Sequence, residues 1–412
     1  MRHEEVQSAC EQLEESLRPY DRLFGRAGAR ASARIYLRGL MSDLERKSIE
    51  PIATAFGAGR ISSLQKFINL APWSAGAVHK ELQHAFGDAT RQREPGAVVV
   101  TVGDHAFPKR GQHSVGVARQ WDRAARRKVN CQVGVFLVGS VPEVSCLLDA
   151  RLHLPESWCG CSDNARLRRD QTRTPNGTHH RTRPQIALDL LHRSLITGLV
   201  RPDWVVAGDA FGSDGDFLAG LEQLGIPYLA GVTGSETVLP EEILEPASNP
   251  WSCRPTGLCT VTELAEGMPA DAWRRSARVV RARLVHEEHA VLRVRSPRVA
   301  VYGNPLLLVL HRALGAGDEA SSFYLSNVSH ETPPDALASA LMGADSAVNL
   351  LAEAEEFLGL SHYEVRSWVG WHHHMSLVAL AHWFATLAGT AETGALADNP
   401  ASSLEATWTP DA

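Results

Sequence analysis

The chain of 412 residues carries a formal charge of −6, from 41 Lys+Arg against 47 Asp+Glu, and is 44% hydrophobic and 21% charged. That balance excludes wholesale disorder, and no apolar run approaches the ~20 residues that span a bilayer. A strong basic surplus is absent, so any nucleic-acid role rests on local patches.

Residues 4–17 place Val6, Cys10, Leu13 and Leu17 at helical spacing, which predicts an amphipathic helix. Residues 30–55 predict a second helix ending near Pro51, and 62–70 a third, broken by Ala71-Pro72-Trp73. QREPGA at 92–97 is a turn-rich seam. After it the β-branched run Val98–Val102 reads as a buried strand, and Val133–Val138 and Trp204–Ala207 repeat the pattern. A small-residue turn (208–215), a helix at Phe217–Leu224 and a strand at Ile226–Val232 follow, which gives an α/β sheet with a parallel crossover. Residues 236–272 read as an insertion or linker, 276–310 as antiparallel strands, Phe323–Leu325 as a last strand, and 333–388 as mostly helical. The tail after Ala391 is small and polar, as in disordered termini.

An acidic group just past a buried strand is how α/β enzymes present chemistry at the sheet edge. Asp104, in Gly103-Asp104-His105-Ala106-Phe107-Pro108-Lys109, and Asp209, after Gly208, both fit this pattern, and two such carboxylates could share a divalent metal. Residues 361–374 gather Tyr363, Glu364, Trp368, Trp371 and three consecutive histidines ending at His374. Consecutive helical residues point in different directions, so the histidines read as packing groups rather than ligands. The seven cysteines are odd in number and scattered; Cys159/Cys161 and Cys253/Cys259 lack closed zinc spacing, and Cys131 reads as core. With no apolar signal-peptide centre at the N-terminus, a cytoplasmic protein without a membrane partner is expected. Arginine is dense at 119–127, 166–183 and 274–298, as phosphate-facing patches or as solvated faces.

Several ordered motifs carry a resemblance: Leu44-Glu45-Arg46-Lys47-Ser48-Ile49-Glu50-Pro51-Ile52-Ala53, Ala71-Pro72-Trp73, the run 107–120, Asn130-Cys131-Gln132-Val133, Leu154–Trp158 and Tyr363–Trp368. With these the chain resembles bacterial insertion-sequence transposases of the DDE superfamily over roughly residues 30 to 390. The resemblance implies an α/β fold with a ribonuclease-H-like core and a β-rich insertion, preceded by an all-helical N-terminal module. The expected partition is 1–92 helical module, 93–235 first part of the core, 236–312 insertion, 313–390 last strand and C-terminal helices, and 391–412 disordered tail.

The resemblance also locates the family's three metal-binding carboxylates, and here those positions hold Gly103, Gly208 and Asn349. Glycine supplies no ligand, and a neutral amide does not offset a dication. Asp104 and Asp209 stand one residue downstream, where a regular strand points the side chain to the opposite face.

Three readings follow. The first is a transposase-like protein without nuclease activity that binds DNA or regulates, with no cofactor and with Arg119, Arg126, Arg127, Lys128, Arg181 and Arg183 as candidate DNA contacts. The second is the fold recruited to another reaction on a small-molecule substrate, its pocket lined or flanked by Asp104, His105, Lys109, Asp209, Glu364 and His374. The third is an active transposase using Asp104 and Asp209 with Mg or Mn.

Overall fold

The structure, a computed structural model, describes residues 2–91, 98–142, 144–209, 211–241, 257–280, 283–298, 305–313 and 321–393. The seam at 92–97, the stretch 242–256 with Cys253, and the tail beyond residue 393 lie outside the described residues. The chain is mixed α/β and divides into two compact units, one from Met1–Arg93, Asp104–Arg201 and Ser346–Ala412 and the other from Glu94–Gly103 and Pro202–Asp345.

The first unit opens with helices α1 (His3–Glu11), α2 (Leu13–Leu17), α3 (Ala27–Leu40), α4 (Ile49–Phe56), α5 (Ile61–Asn69) and α6 (Ala75–Thr90). Residues 30–55 thus form two helices rather than one. Pro51 does not end a helix; it lies in the first turn of α4, where its missing N–H removes no intrahelical bond. Strand β1 (Val99–Pro108) gives its second half to this unit. Next come β2 (Ala118–Asp122), β3 (Arg127–Val141) and β4 (Val144–Leu152), joined as an antiparallel meander, and helices α7 (Glu156–Cys159), α8 (Asp163–Thr172) and α9 (Arg183–Ile196). A full capping box starts α9: Thr182 accepts from the Gln185 backbone N–H while the Gln185 side chain accepts from Thr182.

The second unit contains β5 (Trp204–Ala207), α10 (Gly215–Leu224), β6 (Tyr228–Val232), β7 (Thr237–Pro240), β8 (Cys259–Thr260), α11 (Val261–Glu266), β9 (Arg274–Val280), β10 (Arg283–Arg295), β11 (Leu306–Ala313) and β12 (Ser321–Ser326). The first half of β1 pairs parallel with β5, which pairs parallel with β6. Strands β12, β11 and β10 continue antiparallel from β6, with β7 and β9 both pairing β10. The stretch 236–272 therefore holds two short strands and a helix, not only a linker.

Helix α12 (Pro334–Leu358) starts in the second unit and ends in the first; α13 (Trp368–Thr393) belongs to the first. Buried Trp371, Met375, Val378, Trp383 and Phe384 make α13 apolar on several faces, the pattern of a core helix. No helix among the described residues is long and apolar enough to cross a membrane.

In the second unit Val99, Trp204, Val206, Leu229, Val309, Leu337 and Leu341 form one buried cluster. Gly343 of α12 lets that helix approach β1, since a Cβ there would lie 2.3 Å from Val99 Cβ. The β-branched Val99 has little freedom to yield. Gly343→Ala is expected to cost about 1–3 kcal/mol through overpacking, read as a lower urea midpoint; an unchanged midpoint would contradict this packing.

Candidate functional site

Strand β1 delivers Asp104, His105 and Lys109 into the first unit, and each meets a different environment. The Asp104 side chain is 11% exposed. Its Oδ2 accepts from Arg183 Nη1 at 2.5 Å, and Arg123 Nη2 stands 3.7 Å from Oδ1. Arg183 is the first residue of α9, so the capping box that starts the helix also places the guanidinium. Two guanidiniums already supply the counter-charge that a dication would bring. His105 sits edge-on to Phe107, with centroids 4.8 Å apart. Burial holds its imidazole below the ordinary value, against the opposing pull of Glu355, Asp122 and Asp104.

The motifs quoted above converge on each other here. Gln132 Nε2 donates to Val115 O at 2.7 Å, and its Oε1 accepts from Tyr363 Oη at 2.9 Å. Val115 N donates to Arg366 O at 3.0 Å, and Trp158 Nε1 to Val117 O at 2.9 Å. From the N-terminal motif, Lys47 Nζ donates to Leu40 O at 2.8 Å and also to Phe357 O, while Lys47 N donates to His362 Nδ1 at 3.1 Å. Trp73 stacks on His373 with centroids 3.6 Å apart. Motif residues far apart in sequence are thus tied to one another by hydrogen bonds and ring stacking.

That scaffold frames a cavity of about 630 Å³ lined by Arg46, Lys109, Arg110, Ser114, His362 and Glu364 among others. Lys109 Nζ lies 3.6 Å from the centroid of the Tyr363 ring and 3.5 Å from Tyr363 O. Burial lowers the Lys109 ammonium to about 8, against the pull of Glu355 and Glu364. Glu364 pairs with Arg46, and Glu355 accepts from the Ser361 hydroxyl.

Of the six sequence-derived pocket residues, only Lys109 and Glu364 line this cavity. Glu364 is not on a helix with Trp368 and Trp371, because α13 begins at Trp368 and 361–367 is irregular backbone. His374 is fully buried: Nε2 donates to Leu360 O at 3.2 Å and Nδ1 accepts from Tyr36 Oη at 2.9 Å. Burial lowers it to about 4, so it is a neutral structural imidazole with both nitrogens engaged. Asp209 lies in the second unit, in the turn after β5. There Gly231 allows close approach, since a Cβ on it would lie 2.6 Å from Asp209 N.

The donor chemistry does not fit a pair of divalent cations. Gly103, Gly208 and Asn349 carry no carboxylate, and Asp104 is held by two arginines. Among the described residues no three of His, Cys, Asp and Glu are grouped to hold a metal. A Cβ built on Gly103 meets nothing within 4 Å, so packing does not demand glycine there.

The first unit also presents a basic hairpin. Strands β2 and β3 pair with Trp121 opposite Lys128 and Asp122 opposite Arg127. Alternation buries Gln120 and Asp122 and turns Arg119 and Trp121 outward. Arg123, Arg126, Arg127 and Lys128 are exposed around the tip, where Arg126 takes the left-handed conformation at φ 49°. Asp122 Oδ1 braces the turn by accepting from Ala125 N at 3.2 Å. Of the other candidate DNA contacts, Arg181 pairs with Asp189 and Arg183 with Asp104. Sequence reasoning singled out neither Trp121, 51% exposed, nor Arg123. An apolar residue between two arginines in period-two alternation was the available signal.

None of the curated proteins matches the chain. The family model described as DDE superfamily endonuclease matches residues 19–283, more than half of the length, and the chain belongs to that family.

Proposed function

We propose that this protein keeps the DDE-superfamily fold, has lost metal-dependent strand transfer, and acts by binding DNA without cutting it. The observation that carries the loss is the Asp104 carboxylate, held between Arg183 and Arg123 beside a strand position that is glycine. A dication binding there would first have to displace a guanidinium bonded at 2.5 Å. A ribonuclease-H-like core behind an N-terminal helical module is the architecture this reading assumes.

The binding half rests on the β2–β3 hairpin. It is an antiparallel hairpin at the edge of the sheet, and β-ribbons and sheet edges of this kind are among the elements that enter the major groove. Its exposed Arg119, Arg126, Arg127 and Lys128 concentrate positive charge on a chain that is acidic overall, and Trp121 offers a flat face.

Fluorescence anisotropy of a labelled duplex across salt, run beside a cleavage assay in Mg²⁺ and Mn²⁺, tests both halves. We expect log K to fall linearly with log salt, as counterion release requires, and the duplex to remain uncut. Metal-dependent nicking would overturn the loss; absence of any association at low salt would overturn the DNA role.

A further inference from the structure

We propose that the Lys109 cavity is a phosphate site, with Lys109 as its central cation and Arg110 and Ser114 as further donors. The proposal deepens the DNA-binding reading, on which the choice of a DNA backbone as the phosphate's source rests.

An ammonium has three donors. Lys109 makes one long contact, 3.5 Å to Tyr363 O, and lies against the Tyr363 ring. No carboxylate among the described residues is within ion-pair distance of it. Of the two acidic groups nearby, Glu364 is paired with Arg46, and Glu355 accepts from Ser361 through Oε1 while its buried Oε2 has no hydrogen-bond partner among the described residues. A half-buried cation with no carboxylate at ion-pair distance is costly, and an anion entering the cavity relieves that cost.

The lysine is also fixed in place. Lys109 N donates to Asn130 O at 2.8 Å, and Asn130 Nδ2 donates back to Lys109 O at 2.6 Å and to Gly111 O at 2.9 Å. A clamped turn spends little entropy in holding a ligand. Arg110 is exposed on the same turn, and Ser114 lines the same cavity. A tetrahedral oxyanion, with acceptors on every side, matches the donors that Lys109, Arg110 and Ser114 bring to a wall that also carries Glu45 and the Arg46-paired Glu364.

The test uses the full chain and two aldehyde probes, pyridoxal phosphate and pyridoxal, trapped on lysine by borohydride and mapped by peptide mass. The phosphate-bearing probe is expected to modify Lys109 at least about tenfold more than pyridoxal, equivalent to one charge-assisted phosphate contact. Inorganic phosphate should protect Lys109, and duplex DNA should protect it too. Lys109→Met, and separately the exposed Arg110→Ala, should each weaken duplex binding several-fold.

If the two probes label equally and inorganic phosphate gives no protection, the site is overturned. If phosphate protects while a bound duplex leaves Lys109 reactive and Lys109→Met binds DNA normally, the site holds a free phosphorylated molecule and the DNA-backbone assignment falls. If phosphate protects but no duplex binds the protein at any salt, the phosphate site stands and the DNA-binding reading falls.

Discussion

Reversing three charges at the hairpin tip, with Arg126→Glu, Arg127→Glu and Lys128→Glu together, will lower duplex affinity by roughly 500-fold at about 0.1 M salt. Each phosphate neutralised by a side chain releases about 0.9 counterion, worth roughly eightfold at that salt, and three such contacts multiply. The slope of log K against log salt should shrink by about 2.7 for the same reason. All three residues are exposed beyond the last paired positions of β2 or on its partner strand, so the change touches no core. Titration of wild type and variant at four salt concentrations, with circular dichroism to confirm the fold, decides it. An unchanged slope would mean that DNA, if bound, is held elsewhere.

The largest stability effect is expected at Trp371. It is fully buried near the start of α13, with ring centroids 6.4 Å from Phe107 and 6.3 Å from Phe136. Gly134 makes room for it, since a Cβ there would lie 2.9 Å from the indole. Trp371→Ala leaves a void beneath β1 and β3 that rigid aromatic neighbours cannot fill. The cost is about 3–5 kcal/mol, or a fall in Tm of roughly 5 °C for a chain of this size. Differential scanning calorimetry reads it directly. A Tm within a degree or two of wild type would show that the surrounding rings collapse into the gap, contrary to this account.

Buried strands were the most legible part of the fold. Val98–Val102 and Trp204–Ala207 are β-branched or aromatic runs bounded by small residues, and they pair parallel as neighbouring strands. Pro51 misled because proline marks either the end or the first turn of a helix, and local sequence alone did not separate the two. The helix expected across 361–374 starts only at Trp368, because Val115 N bonds Arg366 O and draws the preceding segment into an extended path. That contact joins positions about 250 residues apart, beyond the reach of any periodicity.

The site divides in the same way. Lys109 and Glu364 were visible as charged residues inside ordered motifs, and both line the cavity. The arginine that neutralises Asp104 was named only as a candidate DNA contact, since Arg183 lies 79 positions away in sequence. His374 was singled out for its chemistry, yet its partners Tyr36 and Leu360 make it a packing group. A histidine's role depends on what both ring nitrogens meet, and sequence shows neither.

The first unit is assembled from three separate stretches, and that has a consequence for its birth on the ribosome. Helix α13 packs against α1, α3, α5, α6 and β4 and supplies much of the apolar surface they bury. At 5–20 residues per second, roughly 15–60 s pass between emergence of α6 and emergence of α13. Over that interval Leu37, Leu40, Ile68 and Leu82 are already made but lack the helix that covers their neighbourhood. The early helices are therefore a natural client for a holding chaperone, and nascent chains stalled before residue 368 should be the species most prone to aggregate.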